Sequence, residues 1–488
     1  MNIKTIVAGL LILLMGSCKK DFLELPSETS LSTPVYFKTQ SDFQQAINGA
    51  YAPLRGLYNG QNGAWNMGEL RADNTTYKYN ANDRGTIQGE YIKDFLDDAN
   101  NPVSNSKYTT NYTIIARVNQ VLEPIDGVDF DTNAKNNIKG QAYFLRALAY
   151  FDLVQYFGKV PLHLHPAGSV TETALPLSSV DSVYLQIIAD AQQAASLLPE
   201  KASQEAGRAT SGAAKTLLGN VYVVLKKWPE AAAKLKEVTG YTLLADYAAV
   251  YNPAQKNNAE SIFEIQFKEG TEGLQSNFFY TFLVQPISSA EVTAITGIPE
   301  VPRTIEGYNI PTPDIIAAYE PNDKRKDASI GYVTAGGVQY PYIKKYSHPH
   351  ASTNNTNDNW PVYRYAEILL LIAEALNEQG KTSEALPYLN QVRTRAGLAN
   401  SIANSQIALR DDIMKERRTE LAFENKRWLD LVRTNTASAT MTAYGARAKA
   451  NPKAYYFPIG IGPSPSSFAT INLLFPLPAS EAALSPYF

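Results

Sequence analysis

Glu416, Glu420 and Glu424 recur at every fourth residue, which on a helix places three carboxylates on one face, a turn apart. Paired carboxylates are the equipment of glycoside cleavage, one as proton donor and the other as base or nucleophile. The neighbours argue against that use here. Arg417, Arg418, Lys426, Arg427 and Arg433 surround the acids, and nearby cations keep carboxylates ionised in salt bridges instead of raising the pKa of a proton donor. The histidines form two i, i+2 pairs in Pro-rich loops, His163 with His165 and His348 with His350. With the one cysteine far away and no acidic residue close to either pair, the further ligands of a metal site are missing, and no metal is expected. Residues 375–382, ALNEQGKT, fit the loose spacing of a phosphate loop with Ala first. A helical pattern runs into them, however, and Leu-Asn-Glu-Gln lacks the backbone freedom to wrap a phosphate, so Gly380 reads as a turn between helices. No Gly-x-Ser-x-Gly elbow occurs. The chain reads as non-catalytic and without a cofactor.

What remains is binding. A sugar ring shows C–H groups on one face and hydroxyls at its rim, so its receptor needs flat aromatic platforms bordered by Asn, Asp and Arg. Residues 59–79 have that mixture: Trp65 with Tyr77 or Tyr79 as platforms, and Asn66, Arg71, Asp73 and Asn74 as hydrogen-bonding partners. The competing reading is that Arg71, Asp73 and Asn74 pin the loop while Trp65 packs in the core. Tyr308, Tyr332, Tyr340 and Tyr342 are secondary ring candidates, and Trp360, just before an apolar helix, reads as packing. Tyrosine is the compositional outlier, with 30 copies against 18 Phe and 4 Trp.

The elements that must position these residues are mostly helical. Residues 141–157 contain no Pro or Gly and are apolar on nearly every face, broken only by Gln141, Arg146, Asp152 and Gln155, so they predict an enclosed helix stopped by Gly158. A stripe of Phe43, Ala46, Ile47, Ala50 and Tyr51 predicts an earlier helix capped by Ser41 or Asp42 and ended by Pro53. Helical pattern also covers 111–122, 180–198 and 213–226, then 363–379, 382–395 and 407–433. Leu218, Gly219, Tyr222 and Ala231 have the spacing of a tetratricopeptide hairpin, and Ile372, Ala373, Leu376 and Ala385 repeat it 154 residues later. Small residues there let two helices approach closely, so each pair buries a face against the next. Between the copies, residues 251–359 turn rich in Pro, Gly, Asn and Ser, with short apolar alternations such as Ile262, Phe263, Ile265 and Phe267. The expected fold is mainly α, a tetratricopeptide-like scaffold of helical pairs with an inserted, loop-rich ligand-binding subdomain that contains short strands.

The formal net charge of −3 supplies no basic field for nucleic acid. At the N-terminus, Lys4 precedes an apolar run from Ile6 to Met15, about half the length that spans a bilayer, and Gly16-Ser17-Cys18 follows. This predicts a lipoprotein signal peptide over 1–17, lipidation at Cys18 and a polar tether over 18–40. Acyl chains contribute about 0.8 kcal/mol per buried methylene, so the chain would be anchored to the membrane without spanning it. The remaining divisions expected are a helical region over 41–250, the insertion over 251–359, and a second helical region with an irregular tail over 360–488.

Six stretches in this order resemble one family: CKKDFLEL from Cys18, QAYFLRALAYFDLVQYFGKVPL, GRATSGAAKTLLGNVY from Gly207, RYAEILLLIAEALNEQG from Arg364, ERRTELAFENKRWLDLVR from Glu416, and LFPLPASE from Leu474. They are similar to the SusD/RagB outer-membrane nutrient-binding lipoproteins of Bacteroidetes, over nearly the whole mature chain. The resemblance implies the helical scaffold and loop-rich ligand subdomain above. It also implies docking onto a SusC-like TonB-dependent transporter, which the lipoprotein covers like a lid, and display at the outer membrane, facing the exterior. The function expected is capture of an oligosaccharide and its delivery to that transporter. Two alternatives stand beside it: a peptide-binding importer of the same fold, and a periplasmic tetratricopeptide scaffold for assembly of other proteins.

Overall fold

The structure is a computed structural model that describes residues 36–81 and 87–487. The expected signal peptide, Cys18 and the tether up to residue 35 lie outside the described residues. The long helices are α1 (Gln40–Tyr58), α2 (Pro102–Leu122), α3 (Thr132–Phe157), α4 (Val180–Leu197), α5 (Ser211–Val224), α6 (Trp228–Lys236), α7 (Tyr365–Glu378), α8 (Thr382–Arg395), α9 (Gln406–Glu420) and α10 (Ala437–Ala450). From α1 to α9 each packs against its neighbour in sequence, so the chain stacks helical pairs into a tetratricopeptide-like array. The insertion does not interrupt the array in space, because α6 packs directly on α7.

The enclosed helix predicted at 141–157 is the C-terminal part of α3, which begins a full two turns earlier, where the Asp131 carboxylate caps it by accepting from the Ala134 N–H at 2.8 Å. Gly158, at φ +74°, ends it as expected. Two of its polar breaks, Arg146 and Asp152, are matched by partners on neighbouring helices, while Gln141 and Gln155 bond within α3 itself. Arg146 grips Asp190 of α4 with two hydrogen bonds of 2.8 Å, and Asp152 accepts from Asn111 of α2 at 2.9 Å. Pairing of this kind lets a charged side chain enter a core that would otherwise reject it.

Two features of α1 differ from expectation. Its cap is Thr39, which forms a reciprocal capping box with Asp42. Pro53 does not end it. Proline removes the N–H that would bond the carbonyl four residues back, and Arg117 of α2 fills that gap by donating to the Gly49 oxygen at 2.6 Å. The helix therefore runs on to Tyr58. At the tetratricopeptide spacing, Gly219 of α5 faces Leu235 of α6 so closely that a Cβ would stand 2.5 Å from the leucine side chain. Between α7 and α8, Gly380 at φ +76° makes the turn, as its sequence context predicts.

The insertion is held at its neck by a short antiparallel pair, β2 (Ser261–Ile265) with β6 (Trp360–Arg364). Both strands are buried along their whole length. Trp360 stacks on Tyr346 at 5.3 Å and on Tyr58 at 5.6 Å, so it is packing. Beyond the neck lie β1 (Thr75–Thr76) with β3 (Ile310–Pro311), and the hairpin of β4 (Ile330–Ala335) and β5 (Val338–Ile343), turned by Gly336 and Gly337 at φ +58° and +77°. One continuous apolar core joins the helices to the insertion.

The segment expected to be one helix over 407–433 is broken after Glu420. Phe423 and Asn425 adopt left-handed φ of +68° and +64°, and a second, short helix spans Arg427–Arg433. Glu424 thus lies in the turn instead of on the helical face. The three glutamates are ion-paired, but not with their sequence neighbours. Glu416 meets Arg325 and Arg393, Glu420 meets Arg325, Arg364 and Arg395, and Glu424 meets Lys345 and Arg364. Asp323 completes the buried network by pairing with Arg325 at 2.7 Å. The neighbouring cations go elsewhere: Arg417 to Asp430, Lys426 to Glu367, and Arg418 and Arg427 to Asp73.

Candidate functional site

The sequence-predicted platform is interior. Trp65 is 0% exposed; its ring meets Phe282 edge-on at 5.0 Å and its Nε1–H donates to the Gly60 carbonyl. Asn66 donates to the carbonyls of Gln61 and Gly63 at 2.8 and 2.9 Å. Arg71 lies over the rings of Phe95 and Phe475, about 4 Å from each centroid, and ion-pairs with Asp97 at 2.6 Å. Asp73 is clamped by Arg418 and Arg427, both at 2.8 Å. Burial alone would raise its pKa, but Arg427 and Arg418 overcome that and hold it well below the usual carboxylate range. Asn74 donates to Glu69 at 3.0 Å and accepts from Arg418 at 2.8 Å. Glu69 also accepts from the backbone N–H groups of Phe423 and Asn425, and burial pushes its pKa up to about 7. Tyr77 is buried and donates to Asp94.

Trp65, Asn66, Arg71, Asp73, Asn74 and Tyr77 are therefore all buried and offer no open ring face or exposed polar group to a sugar. The physical reason is that a buried, irregular backbone makes the same demand as a sugar does. Its carbonyls and N–H groups need amides, carboxylates and guanidinium groups, and its turns need rings to exclude water.

Tyr79 and Tyr308 are placed differently. The β1–β3 ladder continues past its ends, with the Lys78 N–H donating to the Gly307 carbonyl at 2.8 Å. That pairing brings residues 78–80 alongside 303–308. From these segments Lys78, Asn80, Arg303, Ile305, Glu306 and Tyr308, together with Glu90 and Gln285, line a polar cavity of about 260 Å³. Tyr308 is buried in the wall, whereas Tyr79 is half-buried and packs against Phe457 with its ring centre 6.0 Å away.

Beside this cavity lie the half-buried Tyr340 and Tyr456, 5.8 Å apart between ring centres. The Lys78 ammonium stands 5.6 Å from the Tyr340 ring, tying the cavity to the rings. Tyr340 is presented by the β4–β5 hairpin opposite Val333, and Tyr456 is fixed by a 2.7 Å bond from its hydroxyl to the Pro311 carbonyl. Tyr332, 48% exposed, points from the other face of the same hairpin, and Tyr342 is buried under Gly331. Sequence reading missed Tyr456, Lys78 and Arg303. The adjacent aromatics Tyr455, Tyr456 and Phe457 were a usable signal in an otherwise Pro-rich tail.

The histidine pairs need a correction, since each does have a carboxylate neighbour through the fold. His165 Nδ1 lies 2.9 Å from Glu123, and His348 bonds Asp358. Among the described residues no group of three potential metal ligands comes together. No helix among them is long and apolar enough to cross a membrane.

Two family models cover nearly the whole chain. One, described as SusD family, matches residues 247–487, and another, described as starch-binding associating with outer membrane, matches residues 21–223. The chain is 28% identical to SusD-like protein P2 of Formosa agariphila over 499 residues, 92% of each. Among solved structures it is similar to a laminarin binding SusD-like protein, with a TM-score of 0.75 and 25% identity over 92% of this chain and 98% of the other. It also shares its fold with surface glycan-binding protein A of Bacteroides thetaiotaomicron in complex with laminarihexaose, with a TM-score of 0.74 at 20% identity over 91% and 97% of the two chains. A helical-pair array with a neck-held insertion, matched from end to end by these models and relatives, makes this chain a member of the SusD family.

Proposed function

We propose that this chain binds an oligosaccharide on the tyrosine face formed by Tyr79, Tyr340 and Tyr456, beside the polar cavity of Lys78, Arg303 and Tyr308. The observation that carries the reading is that these rings are half-buried, held by their neighbours yet open on one side, and bordered by polar groups. A ring fixed in this way loses little entropy when a sugar stacks on it. The laminarin-binding relative supports a glycan as ligand. In this reading the ligand passes to a SusC-like TonB-dependent transporter, with the chain tethered at the outer membrane by lipid on Cys18 and facing the exterior.

The test is a binding screen of the purified chain against oligosaccharides and peptides, with copurification of an outer-membrane barrel from the native membrane. Binding of one glycan class together with recovery of the barrel is expected. Binding of peptides alone would overturn the glycan reading, and a chain that binds neither class and recovers no barrel would overturn the importer reading.

A further inference from the structure

The cavity beside the tyrosine face is lined by charges of both signs that do not pair across it. Four of its wall residues carry charge: Lys78, Arg303, Glu90 and Glu306. Both acids are engaged. Glu306 accepts from the Gln61 side chain, and neither Glu306 nor Glu90 is without a partner. Among the described residues, Lys78 and Arg303 form no ion pair and no side-chain hydrogen bond, and the one contact Lys78 makes through its ammonium is with the Tyr340 ring. Lys78 is half-buried and Arg303 is exposed at the rim, so among the described residues two cations without an ion-pair partner border one cavity.

Lys78 is only partly exposed, and burial lowers its pKa, which marks an ammonium short of compensating charge. Its position is not accidental flexibility, because its backbone is locked to Gly307, whose own φ of +79° admits the close approach at which a Cβ would stand 3.2 Å from the Lys78 side chain.

We propose that this cavity is a subsite for the anionic group of an acidic sugar residue, a carboxylate or a sulfate, with Arg303 as the planar two-pronged donor and Lys78 as the point charge. The inference rests on the glycan-binding reading of the adjacent tyrosine face. At about 260 Å³ the cavity falls below the range of about 300–1,000 Å³ that encloses a drug-sized ligand, so it holds one acidic residue or substituent while the rest of the oligosaccharide lies on the rings. Lys78 stands at the seam, near enough to Tyr340 for a stacked sugar to place its acidic group over the cavity mouth.

The experiment is calorimetric titration of the full chain with an oligogalacturonide, a sulfated carrageenan oligosaccharide and neutral laminarihexaose, each at low and at moderate salt. Lys78→Met and Arg303→Met are titrated beside the unaltered chain. The expected result is that one or both acidic ligands bind more tightly than the neutral one and weaken with salt. Each substitution should lower the acidic affinity about ten-fold while moving any neutral affinity less than about two-fold. Binding of the oligogalacturonide alone identifies a carboxylate subsite, and binding of the carrageenan fragment alone identifies a sulfate subsite. If neutral ligand binds as tightly as acidic ligand and both variants bind as the unaltered chain does, the anionic subsite is wrong while the tyrosine face stands. If no glycan of any charge binds, the tyrosine-face reading falls and the subsite with it.

Discussion

Replacing Arg364 with methionine removes the cation on which the neck of the insertion and the second half of the helical array converge. Arg364 is 1% exposed and bonds three acids from two directions: Glu260, just before β2, at 2.9 Å, Glu424 at 2.8 and 3.0 Å, and Glu420. Arg395 also pairs with Glu260 and Glu420, Arg325 with Glu420, and Lys345 with Glu424, so each acid keeps at least one cation after the change, but the buried network is left with an uncompensated negative charge. Methionine fills similar space, which isolates the electrostatic loss from a packing defect. Removing one partner of a buried ion pair costs about 3–5 kcal/mol, and the loss expected at pH 7 is in that range, read by urea denaturation.

The pH dependence supplies a second, sharper reading. Burial raises the Glu424 pKa, and Arg364 with Lys345 overcome it, holding the carboxyl at about 2 against an ordinary 4.5. A depressed carboxyl pKa stabilises the fold above the unfolded-state value, and that contribution is lost as pH falls through the folded-state value. In the unaltered chain stability is therefore lost from about pH 4.5 down to about 2. Without Arg364 the folded-state pKa of Glu424 rises, the carboxyl takes up a proton more readily, and the gap between variant and parent narrows below about pH 4.5. A difference under about 1 kcal/mol at pH 7, or one that stays constant from pH 7 to pH 3, would refute the role assigned to this network.

Two further substitutions test how local structure is held. Arg117→Ala leaves the Gly49 carbonyl without the donor that replaces the one Pro53 lacks, and should cost about 1 kcal/mol in chemical denaturation, whereas the same change combined with Pro53→Ala should recover most of it. Trp65→Ala empties a fully buried site and should lower stability by about 3–5 kcal/mol, while the affinity of the remaining folded protein for a glycan stays within about two-fold of the parent.

The helical frame was legible because its signals are local. The unbroken apolar run of 141–157, the small residues at Gly219, Ala231, Ala373 and Ala385, and the compositional change at 251 each reflect a property of one segment. The Pro53 boundary was misread because the carbonyl it frees is satisfied by Arg117, which is distant in sequence. The same limit governs the ion pairs. Glu416, Glu420 and Glu424 have suitable cations adjacent in sequence, yet Glu416 and Glu420 meet Arg325, Arg364, Arg393 and Arg395 from distant segments, and the break at Phe423 and Asn425 places Glu424 beside Lys345 and Arg364.

At the site, residue type alone could not separate a sugar platform from a buried loop, since Trp65, Asn66, Arg71, Asp73 and Asn74 meet the polar needs of their own backbone and core. What marks the candidate face is which rings stay half-open. That depends on the pairing of β1 with β3 and on the hairpin register that sets Tyr340 opposite Val333, both made between segments far apart or on a turn whose shape the two glycines decide.

The most direct test of the tyrosine face is the affinity of the chain for its best-bound oligosaccharide, measured by titration beside Tyr340→Ala and Tyr79→Ala. Both rings are partly open, so the variants should fold with little loss of stability. The account predicts that each weakens binding about ten-fold, as expected when a stacking ring and the area it covers are removed. Unchanged affinity in both variants would contradict it and move the binding site elsewhere on the molecule.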